Sequence, residues 1–429
     1  MPLKDTTPKN RVVILGAGSA GISLALALKR ASNQMMEVTL VDRKSYHTVL
    51  PFIYQVVTGS VSPGHISFPV RKILRKRGRV EAVRFRQGDV LEVDVGRKTV
   101  ITDRGELEWD YLVVALGSTT NFFGMTDIQE NAIPFRSLSD GIDIHNRIQE
   151  NYEAALSEED EQRRSELLTF VVIGGGPTGV ELSASIRELA SKVLAKEYPS
   201  LKSFVRIILI EAQDRVLAGM KDSTRELAMS RLRSRDVEIM LNTRIAKAWP
   251  GGVQTAAGDT IPTRTVIWSA GIKPVPAVEA LPFVKARDGR ILVNEYLQVP
   301  EWTAVYAIGD CAYLEQEDGA KPYPPTFQVA VRQGPVCARN IGNAIKGKPQ
   351  RPFRRKFVGQ LFYIDRNAAV AELLGLVFDG YIAGFMRRTL FIGMLFSYGG
   401  LLVGSKNKVS AAIEWVFAYF YDRNTAKIE

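Results

Sequence analysis

The chain has 429 residues, 46% hydrophobic and 24% charged, with a formal net charge of +10. That length is enough for two or three domains, each with a full core. Its two cysteines, Cys311 and Cys337, form neither a C-x-x-C pair nor a disulfide framework, which argues against a stapled secreted scaffold and points to a reducing compartment. The basic balance suits nucleic acid, an anionic membrane surface or an anionic ligand, and composition alone does not choose among them. The N-terminal segment MPLKDTTPKN lacks the apolar core of a signal peptide. No stretch carries 18 uninterrupted apolar residues. His47, His65 and His145 are scattered without metal-ligand spacing, so no metal site is expected.

The first element is an apolar strand, RVVIL, followed by a glycine turn and the helix-forming run ISLALALKRA. In the turn, Gly16-Ala17-Gly18-Ser19-Ala20-Gly21, the first glycine makes the tight bend. The second lets a pyrophosphate approach the backbone, and the third lets helix and strand pack closely. The helix N-terminus offers free N–H groups and partial positive charge to the phosphates. A second strand, EVTLVD, ends on Asp42, where an acid accepts from an adenosine ribose hydroxyl. The strand YLVVALGS then returns to the cofactor edge, with the small residues Ala115 and Gly117 avoiding a clash.

The same plan begins again at residue 168. The strand LTFVVI leads into Gly174, Gly176 and Gly179, with Pro177 and Thr178 inside the turn, and the next strand VRIILIE ends on Glu211. A carboxylate there accepts from a free 2′-hydroxyl and repels a 2′-phosphate, which favours NAD over NADP, although Arg215 lies nearby. TVIWSAGIKP, 265–274, is the matching return, ending at Ala270 and Gly271. The charged run 146–168 before the second turn reads as a solvated helix face and an exposed loop. The proline-rich KPVPAVEALP marks a crossing out of the second unit.

Two dinucleotide sites in one chain imply two dinucleotides, and the economical pair is FAD with a nicotinamide cofactor. TAVYAIGDCAY, 303–313, places Gly309-Asp310 after a strand; in flavoproteins with two such domains an Asp there binds the ribityl chain. The expected fold is therefore α/β: two Rossmann-type dinucleotide-binding domains, with the NAD domain inserted in the FAD domain. The expected boundaries are 1–120 for the first FAD part, 121–282 for the NADH domain and 283–378 for the second FAD part. Residues 379–429 form a tail of amphipathic membrane-binding helices. Between Pro324 and Gln333, PPT followed by FQVAVRQ reads as a helix start capped by Thr326. A helix N-terminus aimed at the flavin N1/C2 edge favours the anionic reduced flavin. In the tail, six basic residues, including Arg387, Arg388, Lys406 and Lys408, outnumber three acids, and aromatics such as Trp415 are dense. That pattern suits segments lying in a bilayer interface.

These segments together resemble the type II NADH:quinone oxidoreductases, single-subunit NADH dehydrogenases that do not pump protons. The resemblance covers nearly the whole chain and rests on YHTVLPFIYQVVTGSVSPGHISFPVR, DYLVVALGSTTNFFGM, FRSLSDGIDIHNRI and GGGPTGVELSASIREL. It implies one non-covalent FAD, NADH as co-substrate and a membrane quinone as acceptor. It also implies a peripheral homodimer on the cytoplasmic face of the membrane and no nucleic-acid partner. Arg43, Val90, Phe327 and Gln328 become further FAD contacts. Glu181, just inside the second helix, becomes the catalytic carboxylate facing nicotinamide and flavin, and an apolar crevice would raise its pKa. The family's A-Q-x-A-x-Q-Q run is only partly kept: Gln328, Ala330 and Gln333 match, while Phe327 replaces an Ala and Arg332 a Gln. Gln328 and Arg332, four residues apart, share one helix face. With Gln333 and Arg387 they form the expected quinone site. The rivals are a sulfide:quinone or other pyridine nucleotide-disulfide-type reductase, which needs redox-active cysteines, and a non-enzymatic flavin sensor with a dead NAD site.

Overall fold

The computed structural model describes residues 9–31, 35–75, 83–316, 319, 321–355, 359–364, 369–373, 376–386, 389, 410, 413 and 425–428. Strand β1 (Asn10–Leu15) runs into helix α1 (Ser19–Ala31) and back to β2 (Met36–Asp42). Short helix α2 (Ile53–Val57) precedes β3 (Val83–Gln87) and β4 (Tyr111–Val114). The sheet order, from one edge, is Gln298–Val299, Trp302–Ala307, β4, β1, β2, β3, parallel except at the outermost pair. The centre of the sheet is covered on both faces, which is why its strands are continuous apolar runs rather than alternating ones. Val12, Ile14 and Leu15 of β1 are wholly buried.

The second unit repeats this. Helix α3 (Leu138–Ser157) leads to β5 (Thr169–Ile173), α4 (Pro177–Leu189), β6 (Arg206–Ile210), α5 (Asp222–Arg233), β7 (Val237–Met240) and β8 (Thr265–Trp268). Its parallel sheet runs Ile133–Pro134, β8, β5, β6, β7. Each unit places a three-stranded antiparallel meander before its return strand, at 90–108 and 245–262. The insertion leaves and re-enters the first unit side by side: Ser118–Thr120 pairs antiparallel with Ile272–Pro274. The chain thus crosses back ahead of residue 282, the boundary read from the prolines.

The charged stretch before the second turn is two helices. Ser137 and Asp140 form a reciprocal capping box at the start of α3, and Ile144, Ile148 and Tyr152 bury its inner face. Asp160 caps the second, Glu161–Leu167. After the first unit resumes with β9 (Trp302–Ala307), helix α6 (Phe327–Ile345) starts on Thr326, whose hydroxyl accepts from Val329 N–H at 3.4 Å, as the PPT signal predicts. Helix α6 crosses α1 very closely. Ser23 Oγ donates to Val331 O at 2.6 Å, and a Cβ on Gly334 would meet Leu24 N at 2.6 Å. Only glycine permits that approach.

The C-terminal part departs from the boundaries read in the sequence. Strands β10 (Gly359–Tyr363), β11 (Ala369–Leu373) and β12 (Leu376–Asp379) form an antiparallel sheet packed mainly on α4 and α5 of the second unit, with Tyr363 also reaching Tyr54 of the first. Arg231 Nε reaches both carboxylate oxygens of Asp379 at 3.1 Å, and Thr224 Oγ1 donates to Glu372 Oε2 at 2.8 Å. Residues 425–428 also return to the second unit. The Asn146 amide pairs with both N–H and C=O of Ile428 at 2.8 Å, and Lys427 pairs with Glu150 at 2.6 Å. Arg387, Arg388, Lys406, Lys408, Trp415 and most of the expected membrane tail lie outside the described residues. Among the described residues no helix is long and apolar enough to cross a membrane.

Candidate active site

The two glycine turns are the same object built twice. Gly16 N–H donates to Val41 O at 2.7 Å, and Gly174 N–H to Ile210 O at 2.8 Å. Ala17 N–H donates to Asp42 Oδ2 at 2.6 Å, and Gly175 N–H to Glu211 Oε2 at 2.6 Å. The second oxygen of each acid takes an amide two residues on, Lys44 N–H at 2.7 Å and Gln213 N–H at 2.9 Å. Both acids therefore brace the turn, a role their spacing alone does not reveal. A Cβ on Gly21 or Gly179 would sit 1.9 Å from the first glycine's carbonyl oxygen, so these positions admit no side chain. Around Gly18 and Gly176 nothing lies within 4 Å of that position, the open cradle a pyrophosphate needs.

On the first side the flanks of the cradle are more enclosed. Ala17 and Ala20 are buried, Ser19 is half-buried and Gly18 is exposed. Buried His47 places Nδ1 3.1 Å from Ala17 O, and burial pulls its pKa down to about 4, so the ring is neutral and Nδ1–H holds the turn's carbonyl. Burial also raises the Asp42 pKa, against the pull of its two amide bonds. Gly309 has φ +75°, and a Cβ there would stand 2.9 Å from Ala20 Cβ, so the Gly309-Asp310 turn packs directly on the first cradle. Ser118 Oγ donates to Asp310 Oδ2 at 2.8 Å, and Arg136 forms an ion pair with the same oxygen. Gln333, buried in α6, accepts from Gly309 N–H at 2.6 Å. Its side-chain oxygen thus faces the Asp310 turn. Ala115 is buried at the head of β4 and Gly117 takes φ +75°. Arg43 is exposed, with its carbonyl held by Gln87 at 3.0 Å, and half-buried Val90 opens the first meander.

On the second side the cradle is open. Gly176, Pro177 and Thr178 are exposed, as is Gly271, and Ala270 is half-buried. Arg215 is drawn to its neighbour Asp214, with Nε 2.6 Å from Oδ1. Glu181, half-buried on the first turns of α4, accepts from Tyr363 N–H of β10 at 3.0 Å. On α6, Arg332 Nη1 lies 3.3 Å from Gln328 Oε1, so the pair does share a face, beside half-buried Phe327. Arg387 lies outside the described residues. Cys311 and Cys337 are both free and fully buried. Burial raises both thiols, Cys311 to about 11, so neither is a thiolate at neutral pH.

Residues 10–334 match the family model for pyridine nucleotide-disulphide oxidoreductases. The type II NADH:quinone oxidoreductase NdhA of Mycobacterium tuberculosis is 30% identical, over 96% of this chain and 87% of its own length. The chain belongs to the type II NADH:quinone oxidoreductase family. Ndh of the same organism is 29% identical over 98% of this chain and 90% of its own, and the type II enzyme of Staphylococcus saprophyticus 27% over 92% and 97%. The fold agrees: NDH2 from Plasmodium falciparum, solved in complex with NADH, superposes with a TM-score of 0.88 at 19% identity, covering 98% of this chain and 100% of that one. A sulfide:quinone oxidoreductase from Aquifex aeolicus gives 0.74 at 18% identity, over 94% and 95%. The family places a flavin and NADH in this fold, and the buried cysteines offer no disulfide chemistry for the sulfide reading. Sequence reasoning missed the braces: His47, Ser118, Arg136 and Tyr363. Each acts across a domain or sheet contact, so no local spacing announces it.

Proposed function

We propose that this protein oxidises NADH and reduces a membrane quinone through a resident FAD, without pumping protons: NADH + H⁺ + quinone gives NAD⁺ + quinol. The observation that carries this reading is the pairing, in one chain, of two dinucleotide cradles of the same geometry, one with enclosed flanks and one with exposed flanks. FAD, once bound, supplies the two-electron chemistry, accepting hydride from the nicotinamide and delivering electrons to the quinone. The chain's own residues bind and orient. Asp42 and Glu211 each offer a carboxylate at the ribose end of a turn whose amides face the phosphates. Asp310, steadied by Ser118 and Arg136, addresses the ribityl chain. Glu211 excludes a 2′-phosphate, and Arg215, paired with Asp214, is turned to another partner. Glu181 is the acid–base group where the second turn's helix meets the flavin side. Gln328 and Arg332 present an amide and a cation to the quinone head group.

The quinone's lipid location is supported by residues 380–386, which are helical. There Tyr381, Ile382 and Phe385 are 78%, 66% and 66% exposed, while Ala383 is buried against Ala369 and Ala371. Such a one-sided apolar face suits the interface of a bilayer, here on the cytoplasmic side where NADH is available. The homodimer belongs to the same proposal, and sedimentation velocity of the flavin-loaded protein tests it. The decisive experiment is anaerobic stopped flow. NADH should bleach the yellow absorbance of the bound flavin, and a ubiquinone or menaquinone analogue in vesicles should restore it. Bleaching without restoration by either quinone would leave an NADH-dependent reductase of another acceptor. No bleaching at all would leave the sensor reading.

A further inference from the structure

Strand β10 is an edge strand, yet its last residue is held from three sides. Tyr363 N–H donates to Glu181 Oε1 at 3.0 Å, while the Tyr363 hydroxyl donates to Glu188 Oε2. Glu181 and Glu188 are seven residues apart on α4, two turns, and so lie on one helix face. The Tyr363 ring packs on Tyr54 of α2 with centroids 5.3 Å apart, and Gln55 Nε2 donates to the Tyr54 hydroxyl at 3.1 Å. Tyr363 is 5% exposed and Glu188 4%. The first unit, the second unit and the C-terminal sheet therefore meet at this one side chain.

We propose that Tyr363 is the positioning residue for Glu181, fixing its carboxylate through the backbone amide while Glu188 and Tyr54 fix Tyr363 itself. The inference rests on the reading of Glu181 as the acid–base group of the site. An edge-strand N–H has no ladder partner on its outer side, so a carboxylate satisfies it and is oriented in return. The amide cannot be moved by its own side chain. It is set by where the strand sits, and the hydroxyl bond to Glu188 sets that on the same helix face that carries Glu181. The sheet bearing Tyr363 continues through β12 into residues 380–386 and their exposed apolar face.

The test uses full-length, flavin-loaded protein with Tyr363→Phe, which removes only the hydroxyl, and Glu188→Gln, which keeps a hydrogen-bonding partner. Each is made alone and in a Glu181→Gln background. Bound flavin and melting temperature establish that the variants fold. NADH and quinone half-reactions are followed from pH 5.5 to 9. Tyr363→Phe should slow turnover about tenfold, with a smaller loss in Glu188→Gln, and should move the pH midpoint of flavin reoxidation upward. In the Glu181→Gln background it should add less than about twofold, because the group it positions is gone. Equal losses in both backgrounds, or an unmoved pH profile, would overturn the proposal and leave Tyr363 as packing. If Glu181→Gln alone leaves both half-reactions untouched, the reading of Glu181 fails and this proposal falls with it. Should Tyr363→Phe not fold, Glu188→Gln carries the same comparison with the same outcomes.

Discussion

The two glycine turns have matching hydrogen bonds, yet their surroundings differ sharply. The first lies under its own domain's second half: α6 crosses α1 at Gly334, Gly309 abuts Ala20, and His47 holds Ala17 from the other side. The second has Gly176, Pro177 and Thr178 facing solvent, with exposed Gly271 and half-buried Ala270 beyond. One backbone device thus serves two purposes. In the proposed reading, the turn stacked over by other elements keeps a cofactor, and the one left open at its rim exchanges a substrate. The returning chain decides which, not the fingerprint.

The largest expected break in that contrast is Asp310→Ala. The carboxylate is 13% exposed and paired with Arg136, so its loss removes charge-assisted ligand contacts and strands a half-buried cation. FAD affinity should fall about 100-fold or more, giving nearly colourless protein. The open cradle shares none of these residues and should still bind NADH. The flavin-to-protein ratio and NADH titration of the variant check both halves. Full flavin occupancy would reduce Asp310 to a capping residue.

His47 gives a pH signature confined to the more enclosed side. Its folded pKa is about 4 against 6.5 for the free ring. Above pH 6.5 both states are neutral. Between 6.5 and 4 the unfolded ring takes a proton that the folded ring refuses, so stability falls as pH falls through that window and levels below it. The difference corresponds to roughly 3 kcal/mol. His47→Asn retains an N–H donor for the Ala17 carbonyl and has no such titration. Urea midpoints of the two proteins should converge as pH drops from 6.5 to 4. Parallel curves would show that His47 already charges in the folded state.

On the open side, wild-type kcat/KM should favour NADH over NADPH by at least about tenfold, or about 1.4 kcal/mol, with Glu211→Gln narrowing the gap. The amide keeps one oxygen for Gly175 N–H but not a second for Gln213 N–H, so NADH binding by the variant is checked by titration before the ratio is read. An unchanged ratio would mean that Glu211 serves the backbone alone.

Much of this was legible in the sequence because it is local. Strand, glycine spacing, helix and acid lie between Asn10 and Asp42 in the first unit and between Thr169 and Glu211 in the second, and each piece folds for reasons carried by its neighbours. The Thr326 cap and the shared face of Gln328 and Arg332 were legible for the same reason. What was not legible is the pairing of distant segments. Arg136 reaches Asp310 across 174 positions, and Tyr363 reaches Glu181 across 182. Gln333 reads as one more amide of a quinone motif, yet its oxygen faces Gly309, because α6 rotates that position inward against β9's end. The sequence reading kept the C-terminal sheet with the first unit; its contacts with the second, Thr224 and Arg231, are ordinary polar positions on α5.

Arg215 provides the smallest effect and the sharpest control. From sequence, an arginine four residues past the strand-ending acid could hold a 2′-phosphate and undo the preference set by Glu211. In the structure its guanidinium is clamped by Asp214, with both side chains about half exposed at 45% and 56%. The bond holds the Asp214 carboxyl below its usual range. An exposed pair of this kind contributes little, and it breaks readily if a better anion arrives. Arg215→Ala should therefore change the NADH rate constant by less than about threefold, and the NADH-to-NADPH ratio should move slightly toward NADH or stay where it is. A collapse of residual NADPH activity, with NADH use intact, would show the arginine leaving Asp214 to take the phosphate. The coenzyme choice would then be shared between Glu211 and Arg215. A single variant, Asp214→Asn with Arg215 kept, separates the cases: freeing the guanidinium should raise NADPH use only if Arg215 can reach the ribose of the open cradle.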